Sequence, residues 1–123
     1  MVIRHTIDPS STHLSAEDLA ALRENLHEQR RFRQEQLRRL ARPVTPSAGA
    51  GPRQAAAQTE VRVELAASAR MVLTDVEAAL RRMAEGSYGA CHLCRRPVER
   101  ERLVIVPQAR YCARCQQVKE TAP

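Results

Sequence analysis

Apolar residues fall into two long stripes at helical spacing, separated by a stretch of small residues. The first stripe holds Leu19, Leu22 and Leu26 and resumes at Leu37 and Leu40. Steps of three and four residues keep such positions on one face of an α-helix. Between the two clusters Arg30 and Arg33 occupy the projected positions, and Phe32 is offset. Ser15 is a good N-cap. Glu17 and Asp18 suit the positive end of the helix dipole, and Leu14 and Leu19 form a hydrophobic staple. The helix is predicted to run to about residue 41, where Pro43 stops it. Residues 43–58 carry Pro43, Pro46, Gly49, Gly51 and Pro52 among small side chains and read as a flexible connection. A second helix is predicted from about residue 59 to 85, with Gly86 as its stop. Its stripe is Val61, Leu65, Ser68, Val72, Val76, Ala79 and Met83. Two helices of similar length joined by a flexible turn read as an antiparallel hairpin, with arms roughly 40 Å long. The stripes are narrow, as in a coiled-coil seam. A small bundle is the competing architecture, but it lacks a third apolar face.

The flanks are less regular. Residues 1–14 read as a flexible N-terminal arm, because Pro9 and the Ser10, Ser11, Thr12 run discourage regular structure. Residues 103–106 are a short β-branched run ending at Pro107 and predict a strand. After Cys115 there is room for one or two turns of helix. The expected fold is therefore mainly α, with a hairpin over 15–86, its tip loop at 43–58, and a small C-terminal globule over 87–123.

Composition shows what that globule needs. Phe32, Tyr88 and Tyr111 are the only aromatic residues, so the chain lacks the usual material for a thick core. A small core of this kind needs a metal, long paired helices, or both. The four cysteines supply the metal site. Cys91 and Cys94 are separated by two residues, Cys112 and Cys115 by two, and the pairs by seventeen. This spacing fits a structural zinc site in which two knuckles each offer two sulfurs to one Zn2+. Four thiolates leave no open coordination position, which argues against catalytic zinc. His92 lies inside the first pair and is expected to face solvent. Arg95, Arg96, Arg110 and Arg114 are placed to offset the charge of the thiolates. Two disulfides, or a thiol switch that releases its metal on oxidation, are the alternatives.

The formal net charge is +6, and four thiolates on one zinc bring it to about +4. A basic face of Arg30, Arg31, Arg33, Arg38, Arg39 and Arg42 makes a nucleic-acid-binding zinc module a second functional reading. Glu24, Glu28 and Glu35 share that helix and weaken this reading. No secretion signal or membrane-length apolar run is visible, so a cytoplasmic protein without a membrane partner is expected. No nucleophile–base pair, paired carboxylates or phosphate-binding glycine loop stands out, so an enzyme is not expected.

The stretch from Cys91 to Cys115 resembles the DksA/TraR family of bacterial zinc-finger transcription factors. Three residues separate the first pair from Val98. Three more lead to Arg102, four more to Pro107, and then comes the second pair. The approach through Ala79, Leu80, Gly86, Ser87, Tyr88 and Gly89 is similar as well. The resemblance implies a monomer that binds RNA polymerase, core or holoenzyme. Its hairpin would enter the secondary channel and shift initiation without reading DNA sequence. On that basis Arg102 in the finger and Arg53, Pro46 and Gly49 at the tip are the expected partner contacts. The family's acidic tip pair has no counterpart, since residues 43–58 hold no Asp or Glu. The basic residues that serve guanosine tetraphosphate in responsive members are replaced by Val106 and Gln116. An alarmone-independent regulator is the expectation.

Overall fold

The computed structural model describes residues 13–43, 49 and 51–121. Among these residues four helices follow one another: α1 (Ala16–Ala41), α2 (Pro52–Glu85), α3 (Arg100–Ile105) and α4 (Ala113–Thr121). The first two form the antiparallel hairpin, and the last two belong to a small finger at its base. No helix among the described residues is long and apolar enough to cross a membrane.

α1 begins where its punctuation predicts. The Ser15 Oγ accepts from the Asp18 backbone N–H at 2.9 Å, and the Asp18 carboxylate accepts from the Ser15 N–H at 3.1 Å. This reciprocal capping box satisfies two otherwise orphaned donors. α2 ends in a Schellman turn. Gly86 adopts φ 82°, its N–H reaches the Met83 carbonyl at 3.3 Å, and Ser87 N–H reaches the Arg82 carbonyl at 2.9 Å. The left-handed conformation is strained for any residue with a Cβ, so glycine fits there.

Three expectations need correction. α2 starts at Pro52, seven residues before the predicted position, with Gly51 as N-cap. Proline at the first helical position loses no intrahelical bond, and Ala55, Ala56 and Ala57 are the best helix formers. The tip connection is correspondingly shorter than 43–58. Second, residues 103–106 form no strand. They lie mostly in α3, and the only β contact among the described residues is the isolated bridge between Ala90 and Pro97. A strand needs a partner edge, and the finger offers none. A helical turn instead buries Leu103 and leaves Val104 and Ile105 outside. Third, the arm assigned to 1–14 ends in packed structure. Leu14 is buried in the core, and the His13 Nε2 bonds the Val98 carbonyl at 2.8 Å. The remainder of that arm lies outside the described residues.

The seam of α2 also departs from its predicted stripe toward the tip. From Val72 to Met83 the prediction holds, with Val76 and Ala79 fully buried. Nearer the tip Val61 and Leu65 are 55% and 45% exposed, while Arg62 and Ala66 are half-buried and Ala69 is buried. Ala55, Arg62, Ala69, Val76 and Met83 repeat every seven residues, which is the period of a two-helix seam. Arg62 holds its seam position by reaching across the hairpin. One of its terminal nitrogens donates to the carbonyls of Arg39 and Leu40 at 3.0 Å each, with Arg42 O at 3.4 Å. The Arg39 carbonyl also accepts from the Arg42 N–H at 3.3 Å, whereas the carbonyls after it lie past the last intrahelical donors.

The core sits at the base and is shared. Leu14, Leu22 and Leu26 of the first arm and Val76 and Ala79 of the second join Tyr88, Cys91, Val98, Leu103 and Cys112 of the finger in one cluster. Each fully buried aliphatic side chain contributes about 1.5–3 kcal/mol. The contribution is concentrated at this end, because Ala69 is the only buried residue of α2 beyond Val76.

Candidate metal centre

Each cysteine pair stands on a turn whose backbone is fixed from outside the pair. In the first knuckle Cys91 N–H donates to the Arg96 carbonyl at 2.8 Å, and Arg95 N–H returns to the Cys91 carbonyl at 3.0 Å. This tight return forces Arg95 into a left-handed φ of 65°. Val98 N–H binds the Gly89 carbonyl at 2.8 Å, closing the knuckle against the end of the hairpin. The second pair opens α4. Cys112 precedes its first residue, the Cys115 N–H approaches the Cys112 Sγ at 3.5 Å, and Gln116 N–H binds the Cys112 carbonyl at 2.9 Å. A helix N-terminus stabilises a thiolate placed there. His92 N–H reaches the Arg110 carbonyl at 2.8 Å and joins the two knuckles.

The four sulfurs converge. All lie within 4.8 Å of one another, and Cys94 and Cys112 are 3.9 Å apart at sulfur. A tetrahedron with Zn–S bonds of about 2.3 Å requires sulfur separations of about 3.8 Å. A disulfide requires about 2.05 Å, and all four cysteines are free. The donor set therefore fits one structural zinc ion. His92 is exposed, contributes no atom to the cluster, and meets Tyr111 edge-on at a centroid distance of 6.0 Å.

The thiols do not behave alike. Burial pushes Cys91 up, but hydrogen bonds from the backbone of Cys94, Cys112 and Leu93 outweigh it and bring the thiol down to about 6. Burial and the three neighbouring sulfurs push Cys115 up to about 12. Four such groups cannot all ionise side by side without a cation between them.

Around the centre the polar contacts are structural. The buried Tyr88 hydroxyl donates to the Pro107 carbonyl at 2.8 Å, and burial raises its pKa to about 12. Arg102 Nε donates to the Tyr111 carbonyl at 2.9 Å, fixing the chain just ahead of Cys112. Arg110 pairs with Asp75 of α2 at 2.8 Å, and Arg100 grips the Asp18 carboxylate at 2.8 and 3.1 Å. Sequence reasoning missed these ties between hairpin and finger, because single charges far apart in the chain carry no spacing signal. Of the expected partner residues, Arg102 lies in the finger, whereas Arg53, in the first turn of α2, and Gly49, at φ 84°, lie at the opposite end of the hairpin. Pro46 falls outside the described residues.

Comparison with known proteins agrees with this geometry. Residues 86–120 match the family model of the prokaryotic dksA/traR C4-type zinc finger. An uncharacterized protein of Aquifex aeolicus (strain VF5) is 37% identical over 43 residues, which span 35% of this chain and only 30% of that protein's length. The structure of transcription factor DksA2 from Pseudomonas aeruginosa superposes with a TM-score of 0.70 over 91% of this chain and 90% of that one, at 24% sequence identity.

Proposed function

We propose that this chain, DksA-like in the sequence of its finger and in its fold, is a regulator of transcription initiation that binds RNA polymerase. The observation that carries the proposal is the joining of a matched finger to a long hairpin through one core. In this reading residues 15–86 form the inserted arm, and residues 87–123 form the body that stays outside the secondary channel. The zinc ion, when bound, supplies structure and no chemistry. A cytoplasmic monomer suits such a partner.

Independence from guanosine tetraphosphate is part of the proposal. Arg102, Val106 and Gln116 line one groove of about 520 Å³ beside α4. Asp75 and Glu120 line it too, and Arg110, its other cation, pairs with Asp75. A polyphosphate would meet two carboxylates and few free cations there. The test is pull-down with purified core polymerase, followed by transcription at several promoters with and without the alarmone. Binding at micromolar concentration and an alarmone-insensitive effect are expected. Failure to bind polymerase would overturn the regulator, and an effect that requires the alarmone would overturn its independence.

A further inference from the structure

The net charge of this protein is confined to one end. Residues 30–70, the distal part of both arms, hold nine arginines and three glutamates, a net charge of +6. The rest of the chain holds eleven basic and eleven acidic residues. Most of this excess lies in the first arm, where Arg30, Arg31, Arg33, Arg38, Arg39 and Arg42 face one glutamate, and the antiparallel return adds Arg53, Arg62 and Arg70 against Glu60 and Glu64.

Local pairing neutralises only part of the excess. Glu35 binds Arg38 and Arg39 at 2.8 and 3.6 Å, while Arg31 and Arg30 approach Glu24 and Glu77 at 3.7 and 3.8 Å. Arg62 is engaged with the end of α1. Among the described residues Arg42, Arg53 and Arg70 have no carboxylate within salt-bridge distance, and all three are exposed. A groove of about 670 Å³ runs between the arms here, with Arg42, Arg62 and Arg70 around an apolar floor that includes Leu37, Leu40 and Val63. Among the described residues that line it, none is acidic. Among the described residues Gln58 and Thr59 are its neutral polar lining, and the Thr59 hydroxyl donates to the Ala55 carbonyl, leaving its oxygen free to accept.

We propose that the distal hairpin binds single-stranded RNA, seating the phosphodiester backbone on Arg42 and Arg70 and a nucleotide in the groove between the arms. Charge complementarity selects a polyanion. The apolar floor selects a strand with an unpaired base, and Gln58 with Thr59 suits a 2′-hydroxyl, which both donates and accepts. Phe32 is the only aromatic side chain on the hairpin, so affinity comes from phosphate contacts and is indifferent to sequence. The inference does not rest on polymerase binding.

The test is fluorescence anisotropy of the full, zinc-loaded chain with a labelled oligouridine of about twelve nucleotides, near the upper range of single-strand site sizes. Two phosphate contacts predict roughly sevenfold weaker binding at about 200 mM salt than at about 50 mM. The pair Arg42→Gln and Arg70→Gln is expected to lower affinity about tenfold and flatten the salt dependence, with an unchanged circular dichroism melt. The pair Arg23→Gln and Arg81→Gln, exposed at the base of the hairpin, is expected to bind like the parent. Equal binding by the Arg42/Arg70 variant, no binding at the lower salt, or equal affinity for single-stranded DNA of matching length would each overturn the proposal. So would displacement by polyglutamate as effective as displacement by unlabelled RNA.

Discussion

Tyr88 shows how much a single side chain contributes in a chain with three aromatic residues. Its ring fills the junction of hairpin and finger, and its hydroxyl supplies the donor for a buried carbonyl at Pro107. Replacing Tyr88 with Phe keeps the ring and leaves that carbonyl unpaired. The expected cost is about 1–2 kcal/mol in urea unfolding of the zinc-loaded protein. Leu103→Ala removes a fully buried side chain and is expected to cost about 2–5 kcal/mol in the same measurement. Asp18 offers a pH test. The Arg100 guanidinium, followed by the Ser15 N–H, holds its carboxyl well below the usual carboxylate range. A depressed folded-state pKa gives stability that is present above the unfolded value and is lost as pH falls through the folded one. The stability gap between the parent and Asp18→Asn should therefore be full at neutral pH and shrink below about pH 4. The pair is exposed, so added salt should narrow the gap as well. At this scale the four metal ligands were legible from spacing alone. The roles of Tyr88, His13 and Arg100 were not, because each depends on a partner that only the fold brings near.

The helices were legible where local chemistry and tertiary packing agree. Ser15 and Gly86 marked their termini because caps are local. The start of α2 was obscured by Gly49, Gly51 and Pro52, whose breaking tendency ends where proline takes the first helical position. The short run at 103–106 misled because β-branched residues signal a strand only when a neighbouring edge exists. The seam near the tip misled for another reason: Val61 and Leu65 look like core, but Arg62 takes the inward position by capping the opposite arm. Arg62→Ala is expected to free the carbonyls of Leu40 and Arg42 and to speed amide exchange over the last turn of α1. Global stability should fall by no more than about 1 kcal/mol. Exchange confined to the base instead would show that Arg62 is idle.

Across the whole molecule, hairpin and finger are two shapes on one core. Chelation of the zinc is expected to do more than melt the finger. Cys91 and Cys112 pack in the same cluster as Leu22, Leu26 and Val76, so loss of the metal should lower the helical melting temperature of the entire chain. Circular dichroism with and without chelator reads this directly, and an unshifted helical melt would show two independent units. The antiparallel pairing was legible, but the common core was not, since it depends on which way the finger folds back. The shared core also sets the aim of the arm. α2 spans 34 residues, about 51 Å along its axis, and the hairpin is clamped near one end by Leu14 and Asp18 of the first arm and Asp75 of α2 through their finger partners. A rotation of only about 5° at that clamp would sweep the far end through about 4 Å, more than the length of a hydrogen bond. Small packing changes around Val98 and Arg100 are therefore magnified into displacements of the distant tip.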